Sequence, residues 1–249
     1  MNDYTVSHVR DDAASLGISL CNEQIEQLLA YRNRLLAVNE QVNLTAITDP
    51  RDVLIKHFLD SIHLAAYAGK LGGFSLLDMG TGAGFPGMVF AIVFSDVEVT
   101  LCDSLRKRTD FLSSLRDELG LRNVSVIHGR AEELAHQEEH RDRYALVTAR
   151  AVARLVTLTE WCLPFVQPRG YFLAMKGPDP QQELREAEKA MGRLGGQFYA
   201  MHEYTLPMAT GNHSIIAMQK MARTPKGFPR RPGEASRNPL RFRNLRFLT

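Results

Sequence analysis

The chain has 249 residues, 45% apolar and 23% charged, which suits one large globular domain whose core closes without metals or disulfides. The formal charge of +2 conceals an asymmetry: residues 222–249 hold eight of the 30 Arg and Lys but one of the 28 acids, so this stretch carries +7 and residues 1–221 carry −5. The longest apolar run, Met88–Phe94, is too short to span a bilayer, the start lacks a secretion-signal pattern, and Cys21, Cys102 and Cys162 form no C-x-x-C pair, so a cytoplasmic protein without anchor, disulfide framework or zinc knuckle is expected.

Residues 1–72 read as a helical extension. Ile25, Leu28, Leu29, Leu35 and Leu36 recur at helical spacing over Glu23–Val38, with Asn22 as its cap. A second helix opens at Asp49-Pro50, where proline suits a first turn, and runs through Val53, Phe58, Ile62 and Leu64. From residue 73 to 222 the rhythm becomes β-α alternation. Strands are expected at Phe74–Met79, Val97–Cys102, Val124–Ile127, Ala145–Val147 and Tyr171–Met175, with helices near 87–95, 105–119, 131–138, 152–163 and 180–193. That order predicts a parallel sheet covered on both faces. Gln197–Leu206 and Ser214–Met221 are joined too briefly for a crossover helix, so they form a hairpin and the last strand is antiparallel. Residues 223–249 form a basic tail whose Pro225, Pro229, Pro232 and Pro239 argue for an extended or mobile segment.

The sharpest local feature is Asp78-Met-Gly80-Thr-Gly82-Ala-Gly84-Phe-Pro-Gly87, after the first strand and before a helix. Its glycines permit a tight turn and close backbone approach to a ligand at the carboxyl end of the sheet. Gly82 to Gly87 also match G-x-G-x-x-G, and Asp103 follows at the offset of a ribose-binding acid, so a dinucleotide site stands as one reading. Charge favours another. A carboxylate at Asp78 repels a pyrophosphate but attracts the ammonium and sulfonium of S-adenosyl-L-methionine, while Asp103 accepts from ribose hydroxyls.

Around this loop stand Asn39-x-x-x-Asn43-Leu-Thr45, Lys56-His-Phe-Leu-Asp60-Ser61, Asp103-Ser-x-x-Lys-Arg108, Arg130-Ala-Glu132, Ala149-Arg-Ala151 and Ala174-Met-Lys-Gly177. In that order, over about residues 10–240, they resemble the bacterial small-subunit rRNA guanine-N7 methyltransferase family, formerly called glucose-inhibited division protein B. The resemblance implies a class I methyltransferase (Rossmann-like) α/β fold, with a seven-stranded, mostly parallel sheet and an N-terminal helical extension. It implies S-adenosyl-L-methionine as cofactor, contacting Gly80, Gly82 and Phe85, Asp103 with Ser104, Ala131 with Glu132, and Arg150. It also implies 16S rRNA or the small ribosomal subunit as partner and the 530-loop region as target. Members often carry Ser before that Arg; here it is Ala149.

Absences fit guanine N7. No N/D-P-P-Y/F follows the fourth strand, no Pro-Cys offers a covalent nucleophile, and no acid stands beside a lysine there. N7 already bears a lone pair, so the reaction needs positioning rather than a general base. Arg150 and Lys176, at adjacent strand ends, are the expected catalytic pair, with Lys176 also holding RNA. Structural pairing of Arg150 with Asp78 or Glu132 is the competing reading, and His57, Asp60 and Ser61 either line the pocket or pack between helices. His136-Gln-Glu-Glu139-His140 spells H-x-x-E-H but lies in a charged stretch without apolar periodicity, so no metal is expected. In the tail, Arg223, Lys226, Arg230 and Arg231 are expected on RNA, against a tail packed on the acidic body. A monomer is expected; an oxidoreductase using a nicotinamide cofactor and a non-catalytic RNA-binding module on the same fold remain alternatives.

Overall fold

The computed structural model describes residues 4–73, 75–150, 153–178 and 180–240. Two helices open the chain, α1 (Val6–Ser15) and α2 (Asn22–Val42). The first lies inside the stretch that the sequence marks as helical without bounding it, and α2 is capped by Cys21 rather than Asn22, which is its first helical residue. Leu28, Tyr31, Leu35 and Asn39 form the buried stripe of α2, spaced by three or four residues as one helical face requires. The next helix is continuous but uneven. Asp49 Oδ1 accepts from the backbone N–H groups of Arg51 and Asp52 and starts α3 (Pro50–Val53). One wide π-helical turn, Leu54–Leu59, then leads into α4 (Asp60–Gly69).

Strands and helices then alternate: β1 (Ser75–Met79), α5 (Gly87–Val93), β2 (Glu98–Asp103), α6 (Arg106–Glu118) and β3 (Val124–His128). The short α7 (Ala131–Leu134), β4 (Tyr144–Arg150), α8 (Leu155–Cys162), β5 (Val166–Lys176) and α9 (Pro180–Arg193) follow. A hairpin of β6 (Gly196–Tyr204) and β7 (His213–Lys220) completes the sheet. The strand order is β3-β2-β1-β4-β5-β7-β6. The strands β1 to β5 pair in parallel, and β7 inserts antiparallel between β5 and β6. This is the seven-stranded class I methyltransferase sheet. A doubly wound dinucleotide fold ends instead on a sixth parallel strand, so the sheet separates the two readings that the glycine loop leaves open.

Two apolar clusters cover the sheet. One joins Leu28, Tyr31, Phe58 and Ile62 of the N-terminal helices to Met88, Phe90, Leu112 and Leu115. The other joins β4 and β5 to α8, α9 and the tail residues Phe228 and Leu240. Up to Leu240 the tail is therefore docked, not mobile, and carries one helical turn, α10 (Glu234–Arg237). Arg141 donates to the carbonyls of Ala135, Thr224, Pro225 and Phe228, and Lys220, fully buried, reaches Asp142, the Leu163 carbonyl and Thr224 Oγ1. Arg241, Phe242, Arg243, Arg246 and Phe247 lie outside the described residues. Among those described, no helix is long and apolar enough to cross a membrane.

Candidate active site

At the carboxyl end of β1 the chain must reverse sharply to enter α5. The N–H groups of Gly80 and Thr81 both donate to the Cys102 carbonyl, pinning the turn against β2. Gly84, at φ 108°, has no room for a side chain: a Cβ would lie 2.5 Å from the Tyr31 hydroxyl and 2.9 Å from Leu112. Gly82, at φ 63°, meets nothing within 4 Å and faces open space. The Tyr31 hydroxyl donates to the Ala83 carbonyl at 2.6 Å, and its ring stacks on Phe85, so α2 clamps the loop from outside.

Asp78 does not face that space. It is fully buried behind the loop, where Oδ2 accepts from Thr81 Oγ1 at 2.7 Å and from Gly87 N–H at 2.8 Å, while Oδ1 has no partner among the described residues. Burial pushes its carboxyl up to about 6, against the lowering by those hydrogen bonds. The expected attraction of Asp78 for a cationic cofactor thus gives way to a structural role: it caps the start of α5 and ties the turn together.

Asp103 is the acid on the cleft. One oxygen accepts from Gly82 N–H at 2.9 Å and Arg108 Nη1 at 3.2 Å, the other from Leu105 N–H at 2.9 Å. The cleft, about 400 Å³, is lined by Gly80, Gly82, Phe85, Asp103, Ser104 and Arg150, all expected, and by Thr45, His57 and Arg108. Of these three, Thr45 and Arg108 stand in the quoted motifs but received no role. Ala131 and Glu132 do not line this cleft. The Glu132 carboxylate turns to the tail, where one oxygen accepts from Gly233 N–H at 3.1 Å, so the structure does not bring its side chain to the cleft where a cofactor contact is expected.

Arg150 links this cleft to a second one of about 530 Å³ lined by Lys56, Asp60, Lys176, Tyr204 and His213; both Arg150 and His57 line the two. The guanidinium donates to the Lys56 carbonyl at 3.0 Å and Asp60 Oδ2 at 2.9 Å, meets His57 Nδ1 at 2.8 Å, and lies over the Phe85 ring. Arg150 is thus paired with Asp60, not with Asp78 or Glu132. Because Arg150 has only donors, His57 Nδ1 must accept, leaving Nε2–H to donate to Thr45 Oγ1 at 2.9 Å. Burial and then the Arg150 charge push the His57 pKa down to about 3, so the ring is neutral. Burial disfavours the charged form of Asp60, but hydrogen bonds from His213 and Tyr204 with the charge of Arg150 outweigh it and hold the carboxyl below its ordinary value. Ser61 is fully buried and donates to the His57 carbonyl. Lys176 pairs with Glu183 at 2.8 Å and donates to the Ala153 carbonyl.

The expected tail residues are not brought to these clefts together. Arg223 and Lys226 line a separate groove. Arg231 is exposed beside Glu132, Glu133 and Glu234. Arg230 does not project toward a partner: its backbone N, Nε and Nη2 all donate to Glu160, which is 1% exposed. That buried ion pair corrects its expected RNA contact. Of the H-x-x-E-H residues, His136 meets the Pro229 carbonyl and His140 the Tyr144 hydroxyl, beyond the end of α7.

A family description, rRNA small subunit methyltransferase G, matches residues 24–210. A relative named ribosomal RNA small subunit methyltransferase G from Alkaliphilus metalliredigens is 43% identical over 235 residues, 94% of this chain and 98% of the relative. One of the same name from Halalkalibacterium halodurans is 42% identical, covering 94% and 99%. Among solved structures, an O-methyltransferase from Bacillus cereus in complex with SAH superposes with a TM-score of 0.55 at 17% identity, over 76% of this chain and 90% of that one. A SAM-dependent O-methyltransferase from Thermotoga maritima superposes at 0.52, with 17% identity, over 77% and 72%.

Proposed function

The chain belongs to the rRNA small subunit methyltransferase G family, and we propose that it methylates N7 of a guanine in the 530-loop region of 16S rRNA, acting as a cytoplasmic monomer on the free rRNA or the small subunit. It is an S-adenosylmethionine-dependent methyltransferase. The observation that carries the finer reading is the junction at Arg150 and His57, which opens the glycine-loop cleft directly onto a second cleft.

The first cleft fits the cofactor. Gly82 leaves open space over the loop, Asp103 and Ser104 offer a ribose-binding edge, and Arg108 Nε is a buried donor without a partner at the wall. Bound there, S-adenosylmethionine supplies an electrophilic methyl group on a sulfonium. Everything else falls to the chain. Phe85, stacked between Tyr31 and His57, is a rigid apolar floor beside the junction. Three of the five donors of Arg150 are taken by Lys56, Asp60 and His57, which fixes the guanidinium and leaves two N–H groups for the purine edge. Lys176 at the rim of the second cleft suits the O6 edge or an adjacent phosphate.

Guanine N7 attacks with its own lone pair, so no proton is removed. The positive charge moves from sulfur to the base without being created. A wall of paired charges, Arg150 with Asp60 and Lys176 with Glu183, suits such a reaction. Neutral His57 has both ring nitrogens engaged and is a positioning residue rather than a base. Incubating 16S rRNA and small subunits with labelled donor, followed by borohydride–aniline cleavage, should place 7-methylguanine in the 530 loop. Label at another atom or another site refutes the reading.

A further inference from the structure

At the opposite end of the sheet lies a groove of about 770 Å³ that none of this chemistry uses. Its place follows from the register. The N–H groups of Asp142 and Arg143 donate to the carbonyls of Pro164 and Phe165 immediately before Tyr144 pairs with Val166, at the amino ends of β4 and β5. Arg150 and Lys176 close the same strands at their carboxyl ends. With β4 extended at about 3.3 Å per residue, Arg143 stands roughly 23 Å from Arg150.

The groove is strongly basic, and its cations are not spent on carboxylates. Arg143, Arg223 and Lys226 are exposed, and among the described residues none of them pairs with an acid. Among the described residues the Arg143 side chain makes one hydrogen bond, to the Glu138 carbonyl. The four carbonyls on Arg141 fix the direction of its guanidinium without neutralising it. Of the two acids on the lining, Asp142 is taken by buried Lys220, so Glu138 alone opposes four positive side chains. The docked tail builds the site: the hold of Arg141 and Lys220 on residues 224 to 228 sets Arg223 and Lys226 across from Arg141 and Arg143.

We propose that this groove is a second RNA site that grips phosphates of the substrate backbone about 23 Å from the methylated base. Exposed guanidinium and ammonium donors around the fixed charge of Arg141, in a concave surface, suit phosphate oxygens. Apart from the His136 imidazole, the lining offers no aromatic ring and no large aliphatic anchor of the kind that carries a protein–protein contact, so an acidic protein is the weaker fit. The proposal rests on RNA being the substrate. It adds that the RNA must be long enough to run from one end of the sheet to the other.

The test compares wild type with Arg223→Ala/Lys226→Ala, both exposed positions outside the methyl-transfer machinery, by equilibrium binding to 16S rRNA across a salt series. Two lost phosphate contacts should flatten the slope of log K against log salt by about 1.5 and weaken binding about ten-fold at moderate salt. S-adenosylmethionine affinity should stay as in wild type. A target hairpin too short to span about 23 Å should bind both proteins equally. Unchanged rRNA affinity and slope overturn the proposal, as does an equal loss on the short hairpin. If wild type binds rRNA in this salt-dependent way yet transfers no methyl group to it, the methylation reading fails while the groove stands.

Discussion

Replacing Arg230 with alanine should free the tail from the body rather than unfold the enzyme. Glu160 is 1% exposed, and among the described residues its ion-pair partner is Arg230. Stranding such a carboxylate costs about 3–5 kcal/mol if the surroundings hold still. They need not hold still. Phe228 and Leu240 anchor the tail at 8% exposure each, and burial of two such side chains is worth about 3–6 kcal/mol together. The burial at stake is no larger than that penalty, so detachment of residues 229–240, beyond the segment that Arg141 and Lys220 hold, returns Glu160 to water and competes with keeping a buried bare charge. Trypsin should therefore cut Arg230→Ala within the tail while leaving residues 22–220 intact. Adding Glu160→Gln should restore protection at neutral pH, because the amide carries no charge. If the Arg230→Ala tail resists trypsin as wild type does, or if Glu160→Gln gives no rescue, the ion pair is not what holds the tail.

The buried neutral His57 gives a pH signature. Its pKa falls from about 6.5 in the unfolded chain to about 3 in the fold. Between those values the unfolded chain binds the extra proton, so the stability from this group is complete above pH 6.5 and is lost as the pH falls toward 3. His57→Asn should show a shallower acid decline of the urea midpoint between pH 6.5 and 4; parallel curves contradict the buried neutral ring. Asp103→Ala should weaken S-adenosylmethionine binding by at least ten-fold by calorimetry, since it removes both the ribose-binding edge and the acceptor for Gly82 and Leu105 N–H (about 1–3 kcal/mol for each orphaned group). Wild-type affinity would remove Asp103 from the site.

The succession of strands along the chain and the glycine loop are legible because their signals are local: short apolar runs, glycines at a strand end and an acid at the next. The hairpin too was readable, since seven linking residues leave no space for a crossover. What escaped depends on partners far apart in the chain. Tyr31 reaches Ala83, and His57 reaches Arg150 across 93 positions, and no periodicity encodes such a meeting. Asp78 stands at the strand end that the sequence indicates but turns away from the cleft, because the N-terminus of α5 competes for the same carboxylate. The prolines of the tail do exclude a long helix, but they say nothing against docking. Phe228, Ala235 and Leu240 carried that signal, too sparsely to stand out beside eight cations.

The wide turn at Leu54–Leu59 constrains how this enzyme can vary in length. A π-helical turn accommodates one residue more than the α-helix around it, so the segment behaves as a tolerated single-residue insertion. Each residue advances an α-helix by about 100°. Removing one position there would let the backbone relax into a regular helix, but would turn either Lys56 and His57 or Asp60 away from Arg150, breaking the hold on the guanidinium. Substitutions at the solvent-facing positions of α3 and α4 can be absorbed one at a time. A change in the number of residues between Asp49 and Asp60 cannot.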